Sequence, residues 1–144
     1  MTEEEVLDLA AEICKEFEGF KANEYICPAG IKTIGYGTTR NYSTNTITKE
    51  EATELLKRDL KENLNYVKLY APNLADHKLA AILSWVYNLG VGSFKSSTML
   101  KRIQEGDHKE AAKEMLRWNK ANGKPLKGLT RRRKREHDIY LGIL

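Results

Sequence analysis

Three chemically capable side chains lie within one short stretch of the sequence, between Phe17 and Thr39: the carboxyl of Glu18, the thiol of Cys27 and the hydroxyl of Thr33. A carboxyl can carry a proton, a thiolate is a nucleophile, and a hydroxyl can both donate and accept hydrogen bonds. Glutamates are mostly exposed residues without a special role. A negative charge at the end of a helix, however, opposes the helix dipole, and residues placed against local preference are sometimes functional.

The elements around these residues follow from local patterns. Apolar residues recur at helical spacing over residues 3–18, which predicts an amphipathic helix that Gly19 ends. From Tyr25 to about Ile47, β-formers alternate with glycines and polar residues, which indicates short strands joined by tight turns. Thr48 forms a capping-box pattern with the glutamate three positions later and opens a helix to about residue 67.

Beyond residue 72 the pattern is helical. Apolar spacing and caps predict helices over 76–90, 96–105, 108–119 and about 130–141, and Gly123, Pro125 and Gly128 predict a loop over 120–128. The sequence therefore predicts an α+β fold, with a small sheet near the N-terminus and a helical lobe after it.

Composition limits the classes of function. The chain has 144 residues, which fits one domain, and its net charge of +4 favours a polyanionic partner without choosing among nucleic acid, membrane surface and cell wall. No apolar run is long enough to span a bilayer, and the acidic N-terminus does not have the layout of a signal peptide, so synthesis in the cytoplasm is expected. Two cysteines and three histidines show no metal-ligand spacing, and neither a metal nor a cofactor is expected.

The spacing of Glu18, eight residues, Cys27, five residues and Thr33 resembles the signature of the phage-type lysozymes, the endolysins that cut bacterial peptidoglycan. The flanking segments EGF, CPAG, TIGYG, NLGVG, SST and GLTRRR also resemble that family, in order, over about residues 10–142. The resemblance implies a lysozyme-like fold in a single domain, 1–144, in which lobes of about 15–67 and 68–144 flank a cleft and the first helix bridges them.

The resemblance also implies the reaction, hydrolysis of the β-1,4 bond between N-acetylmuramic acid and N-acetylglucosamine. Glu18 would be the acid, so its surroundings must favour the protonated form or supply the proton only in the bound complex. Thr33 would hold the attacking water. Most family members carry Asp where this chain has Cys27, which would either act as a thiolate or position water; inversion and retention at the sugar both stay open. Cys14 is expected to pack in the core, with a Cys14–Cys27 disulfide as the alternative.

Further site residues come from the resemblance alone. The first arginine of the last helix lies near the catalytic glutamate in the family pattern, which assigns Arg131 as the ion-pair partner of Glu18. Tyr87 and Asn88 match positions that line the family's cleft and would bind sugar. Thr38 stands where the family often has a histidine, so the ion pair of that histidine is in doubt here.

The expected partner is a peptidoglycan glycan strand, bound by a monomer that neither binds nucleic acid nor inserts stably into a membrane. By analogy with related phages, a separate holin would carry the protein from the host cytoplasm to the wall or periplasm. Two other readings compete. One is a glycan-binding protein without turnover, which an intact Glu18 argues against. The other is a nucleic-acid binder that uses the basic run 131–135, although no recognised reading motif accompanies that run.

Overall fold

The first helix, α1 (Glu3–Glu18), has the bounds that its apolar spacing predicts. The computed structural model describes residues 1–143 of the chain. In the first turn, the Thr2 hydroxyl accepts from the Glu5 backbone N–H and the Glu5 carboxylate accepts from that of Thr2. This capping box satisfies two N–H groups that would otherwise lack partners. Glu18 is the last helical residue, so the burial of α1 determines where this carboxyl lies.

A two-stranded antiparallel sheet follows α1. It consists of β1 (Lys21–Ile26) and β2 (Lys32–Gly35), with Tyr25 opposite Thr33. The first strand begins at Lys21, earlier than predicted, because the backbone of this segment also pairs with residues 45–47. In the connecting turn, the Cys27 carbonyl accepts from the Gly30 N–H at 2.8 Å. The sequence-predicted sheet is therefore present, and Cys27 opens its turn.

The longest helix, α2 (Lys49–Tyr70), leaves the sheet and enters the helical part of the molecule. Its predicted capping box is confirmed, with Thr48 and Glu51 exchanging hydrogen bonds. The helix runs a few residues beyond its predicted end. Residues at spacings of three and four form its buried face: Ala52, Leu56, Leu60, Leu64 and Val67.

Within residues 1–143, five further helices form the rest of the helical part. The central one is α3 (Asp76–Leu89), which packs against α1, α2 and the last helix, and whose residues 79–86 are all buried. Around it lie α4 (Val91–Lys95), α5 (Thr98–Gln104), α6 (His108–Met115) and α7 (Lys127–Tyr140). The predicted α+β class is confirmed, and one hydrophobic core joins the helices to the sheet. The predicted division into lobes at 67–68 stays a prediction. The helix α2 runs without interruption through that point.

The predicted loop over 120–128 contains a small hairpin, β3 (Lys120–Ala121) and β4 (Lys124–Pro125). Asn122 and Gly123 form its turn with φ of 51° and 78°. Asn-Gly is the preferred pair for a turn that needs two positive φ values. The last helix begins just after this hairpin, three residues before its predicted start. Of the helices in residues 1–143, none combines the length and apolarity that crossing a membrane would need.

Gly35 is the residue where the sheet approaches α2 most closely. Its φ is +67°, and an added Cβ would lie 2.9 Å from the Cβ of Ala52. We expect Gly35→Ala to lower the free energy of unfolding by about 2–4 kcal/mol, because left-handed strain adds to overpacking. The matched control is Gly30→Ala, at φ +79° with open space around it, which should cost only the strain. Denaturant unfolding measures both, and equal losses would contradict the close approach.

Candidate active site

The Glu18 carboxyl lies at the end of α1, beneath the backbone of Gly37. An added Cβ on Gly37 would be 3.3 Å from Glu18 Oε1 and 3.3 Å from the Tyr87 hydroxyl, so a larger residue would press on both groups. The carboxyl is partly open to a cleft of about 380 Å³. The cleft wall also contains polar groups that the sequence analysis did not single out: Arg40, Asp59 and Asn63.

Arg132 holds Glu18 from the opposite side. Its Nη1 donates to Glu18 Oε2 at 2.6 Å, and its side chain is only 3% exposed against 22% for Glu18. Phe17 lies beside the pair, with the guanidinium carbon 5.9 Å from the centre of its ring. An ion pair with this burial holds the carboxyl in one place, whereas an exposed pair would be worth little.

The prediction that Arg131 makes this ion pair was wrong by one position. Arg131 is exposed and lines a separate groove with Glu16 and Phe17. The reason is helical phase: the buried face of α7 carries Arg132, Arg133, Glu136, Ile139 and Tyr140. Arg131 lies about 100° away from Arg132 around the helix axis and points to solvent.

A second carboxylate, Glu136, is fully buried one turn further along α7. Its Oε2 lies 3.3 Å from Arg132 Nε and its Oε1 2.8 Å from Arg133 Nε. The Ser84 hydroxyl donates to the same Oε2 at 2.5 Å. Burial raises the pKa of Glu136, while the two arginines oppose that shift. Burial works to lower the pKa of Arg132, but the surrounding acidic groups outweigh it and the net pKa is raised.

Cys27 and Thr33 lie side by side at the end of the sheet. The pKa of the partly exposed Cys27 thiol is lowered, first by the backbone amide of Ile31, then by that of Ala29, with a further contribution from the Thr33 hydroxyl. Thr33 is buried and its hydroxyl donates to the Ile31 carbonyl at 2.9 Å. A hydroxyl has one proton, so Thr33 serves either that carbonyl or the sulfur, and its lone pairs remain free to accept.

Tyr25 lies on β1 opposite Thr33. Its pKa is raised by burial first, and then by the negative charges of Cys27 and Glu18. Cys27 and Thr33 lie beside each other at the end of the sheet, and neither lines the cleft that holds Glu18. Tyr25 was not predicted as part of the site, because a register shift between Lys21 and Tyr25 interrupts the alternation that would have shown which way it faces.

The comparison with protein families decides what the chain is. A family model described as phage lysozyme matches residues 15–136. The chain belongs to the phage lysozyme family. Among its relatives, an endolysin of Acyrthosiphon pisum secondary endosymbiont phage 1 is 37% identical over 135 residues, covering 89% of this chain and 92% of that protein.

Other members of the phage lysozyme family differ in length. An endolysin of Bacillus phage B103 is 36% identical over 134 residues, covering 90% of this chain and 51% of that protein. The chain thus spans about half the length of this relative. A protein named SAR-endolysin from Bacteriophage PS119 is 37% identical over 130 residues, covering 86% of this chain and 76% of its own length.

Solved structures confirm the lysozyme-like prediction. The muramidase domain of SpmX from Asticaccaulis excentricus superposes with a TM-score of 0.84 at 33% identity, over 92% of this chain and 94% of that one. The endolysin from Escherichia coli O157:H7 phage FAHEc1 gives a TM-score of 0.80 at 33% identity, over 92% and 90%.

Three residues named from the family resemblance lie at or near the cleft. The Tyr87 hydroxyl donates to the Tyr36 carbonyl at 2.9 Å, and burial raises the pKa of this phenol, followed by the charges of Glu18 and Asp59. Asn88 lines the cleft, and its Oδ1 has no hydrogen-bond partner among residues 1–143. Thr38 is buried near the same Asp59, whose pKa burial raises.

The two cysteines are separate free thiols in this phage lysozyme family member. Cys14 is buried and accepts from Arg132 Nη2 at 3.5 Å. Burial raises the pKa of Cys14 to about 12, so this thiol stays protonated and unreactive. The packing interpretation of Cys14 fits this placement, and the disulfide alternative is not formed.

Replacing each of the two arginines by alanine in turn tests the corrected ion pair. We expect Arg132→Ala to lower the free energy of unfolding by about 3–5 kcal/mol, because it leaves buried Glu136 and partly buried Glu18 without their shared cation. Arg131→Ala removes an exposed cation from the same helix and should stay within about 0.5 kcal/mol of the unsubstituted chain. Urea unfolding at neutral pH measures both. Equal losses from the two variants would mean that the buried pair is not formed in solution.

Proposed function

We propose that this chain is a muramidase that hydrolyses the β-1,4 bond between N-acetylmuramic acid and N-acetylglucosamine in bacterial peptidoglycan and thereby lyses the host cell. The observation that carries the proposal is the Glu18 carboxyl, fixed by Arg132 at 2.6 Å and open to a cleft. The names endolysin and muramidase, borne by relatives that cover most of the chain, support it.

Glu18 is the proposed proton donor to the leaving sugar oxygen. Arg132 occupies its Oε2, so Oε1, on the side of Gly37, is the oxygen that can carry the proton. Because Gly37 has no side chain, a sugar ring can approach this oxygen closely. When Oε1 carries the proton, the carboxyl is neutral and Oε2 can still accept the hydrogen bond from Arg132, which gives the acid a fixed direction of transfer.

Cys27 and Thr33 are proposed to act on the other face of the sugar. Thr33 can accept a hydrogen bond from water, and the lowered pKa of Cys27 adds thiolate character beside it, so the thiolate can take the proton of the attacking water. A water held between them would attack with inversion. The same thiolate is also a competent nucleophile, and attack by sulfur followed by hydrolysis would give retention. The anomeric configuration of the first product, read by NMR, decides between the two.

Sugar binding is proposed for Tyr87 and Asn88, because both line the cleft that holds Glu18. Asn88 supports this most directly, since its unpartnered amide oxygen is a hydrogen-bonding capacity that the chain itself leaves unused. The same proposal is not made for Arg131, which faces another groove.

The two competing functions, nucleic-acid binding and glycan binding without turnover, fit the site less well. A nucleic-acid interface built from 131–135 would need those cations at the surface, whereas Arg132 and Arg133 are buried and committed to Glu136. A glycan-binding protein without turnover would need no acid in the cleft. Catalytic turnover therefore separates the proposal from the binding alternative.

Substitution of the proposed catalytic groups tests the function. Glu18→Gln should abolish the clearing of outer-membrane-stripped bacteria, by about 10³-fold or more, because no proton donor remains. Cys27→Ser should impair clearing strongly, whereas Cys27→Asp should keep substantial activity because Asp restores an anion. Turbidity at equal concentrations of folded protein is the measurement.

The matched control is Glu16→Gln, which removes an exposed carboxylate two residues from Glu18. It should clear bacteria at the wild-type rate. If Glu18→Gln clears them equally fast, the assignment of the acid is wrong, and full activity of Cys27→Ala would remove the thiol from the mechanism.

For delivery, we propose that the chain is made in the host cytoplasm and reaches the wall through a pore formed by a separate holin. Cells that express this chain alone should stay intact until their inner membrane is opened with chloroform, and should then lyse within minutes. The turbidity of cells that express Glu18→Gln should stay unchanged after the same chloroform treatment. Lysis by the unsubstituted chain without chloroform would contradict the holin route and favour the route used by relatives named SAR-endolysin.

A further inference from the structure

We propose that Glu136 is a positioning residue that competes with Glu18 for the charge of Arg132 and thereby keeps Glu18 able to take up the proton that it must deliver. This inference rests on the proposed function, because it concerns the same acid. Glu136 does not line the cleft and would act only through Arg132.

The geometry shows how one guanidinium is divided between two carboxylates. Arg132 Nη1 bonds to Glu18 at 2.6 Å, while its Nε lies 3.3 Å from Glu136. Its Nη2 donates to the Ser84 carbonyl at 3.1 Å and approaches the Ser84 hydroxyl at 3.3 Å. All three nitrogens are therefore engaged, and the side chain has no freedom to turn fully toward either acid.

The positive and negative side chains around Arg132 are equal in number. Two cations, Arg132 and Arg133, face two carboxylates, Glu18 and Glu136, within the interior between α1, α3 and α7. Among residues 1–143, the other titratable groups that act on the cluster come from three elements, and none adds a cation: Cys14 on α1, Tyr25 on β1 and Tyr87 on α3.

Without Glu136, the whole charge of the buried Arg132 guanidinium would act on Glu18 alone. An adjacent cation stabilises a carboxylate against protonation, so Glu18 would be held in its ionised form and would be a poor acid near neutral pH. Glu136 offsets that field. Burial raises the pKa of Glu136, two arginines in direct contact favour its charged form, and the Ser84 hydroxyl at 2.5 Å fixes its position.

The sign of one titration shift tests the proposal. Carboxyl carbons of ¹³C-glutamate-labelled protein are followed by NMR against pH, and the Glu18 signal is identified by its loss in Glu18→Gln. Glu136→Gln should lower the titration midpoint of Glu18 by about one unit. The alkaline decline of kcat/KM should move to lower pH by the same amount. If Glu136 only braced the helix, its loss would loosen Arg132 and raise the midpoint instead, and a midpoint that rises or stays unchanged overturns the proposal.

Two control variants separate charge from packing. Glu136→Asp keeps the negative charge while it shortens the side chain, and should leave the Glu18 midpoint near the wild-type value. Asp138→Asn removes a carboxylate from the same helix, where it pairs with Lys134 at 3.1 Å outside the cluster, and should leave the midpoint unchanged. A shift of equal size in Asp138→Asn would overturn the assignment to Glu136.

The unsubstituted protein provides a test that does not depend on whether Glu136→Gln folds. Two coupled carboxyls titrate together, so the Glu18 signal should show a second inflection at the pH where Glu136 takes up its proton. The Glu136 signal is identified by its loss in Glu136→Asp, and a Glu136 titration that leaves the Glu18 signal unchanged overturns the proposal. The NMR result also stands apart from the proposed function, because titration of Glu18 needs no turnover, whereas wall clearing by Glu18→Gln would refute the acid role alone.

Discussion

The ion pair between Glu18 and Arg132 is the contact on which the rest of the site depends. It joins the last residue of α1 to the buried face of α7, across 114 positions of sequence. A single hydrogen-bonded pair could not hold two helices in place unaided, and here the packing of both helices against α3 does that work. The pair then uses the rigid interior to fix an acid at the edge of a cleft, where a carboxyl on a free chain end would sample many orientations.

The sheet contributes to the site in a different way. The pKa of Cys27 is lowered without a basic side chain, first by the backbone amide of Ile31 and then by that of Ala29, both in its own turn. The turn geometry in turn depends on the pairing of Tyr25 with Thr33 and on the close fit of Gly35 against α2. The acid is thus fixed by side chains and the sulfur by backbone, and their joint action on one sugar stays a proposal.

Local signals predicted much of this structure. The two capping boxes, the bounds of α1 and the end of α3 at Gly90 follow from residues a few positions apart, so the sequence displays them directly. The pair Asn122-Gly123 is a local sequence signal for the turn of the hairpin over 120–125. The two strands of that hairpin have two residues each, which is too short to show an alternation of polar and apolar side chains. The family resemblance located Glu18, Cys27 and Thr33, whose catalytic roles stay predictions.

The buried charges could not be read in the same way. Polar periodicity treats arginine and glutamate as solvent-facing, so a helix face that carries Arg132, Arg133 and Glu136 beside Ile139 gives a weak amphipathic pattern. The distance of two residues in space, such as Ser84 and Glu136, is likewise invisible until the fold places α3 against α7. Arg132 and Arg133 turn inward while Arg131 does not, and this difference follows from the helical phase, which tertiary packing sets.

The order of α1 and α7 along the chain has a consequence for biosynthesis. A ribosome releases residues in order, so the carboxyl of the first helix emerges long before the arginine that secures it, and the interior is completed only after α7 has emerged. Until then, a growing chain carries an unanchored acid and no finished cleft. Copies that terminate before α7 would therefore lack the buried arginine that holds Glu18 in place.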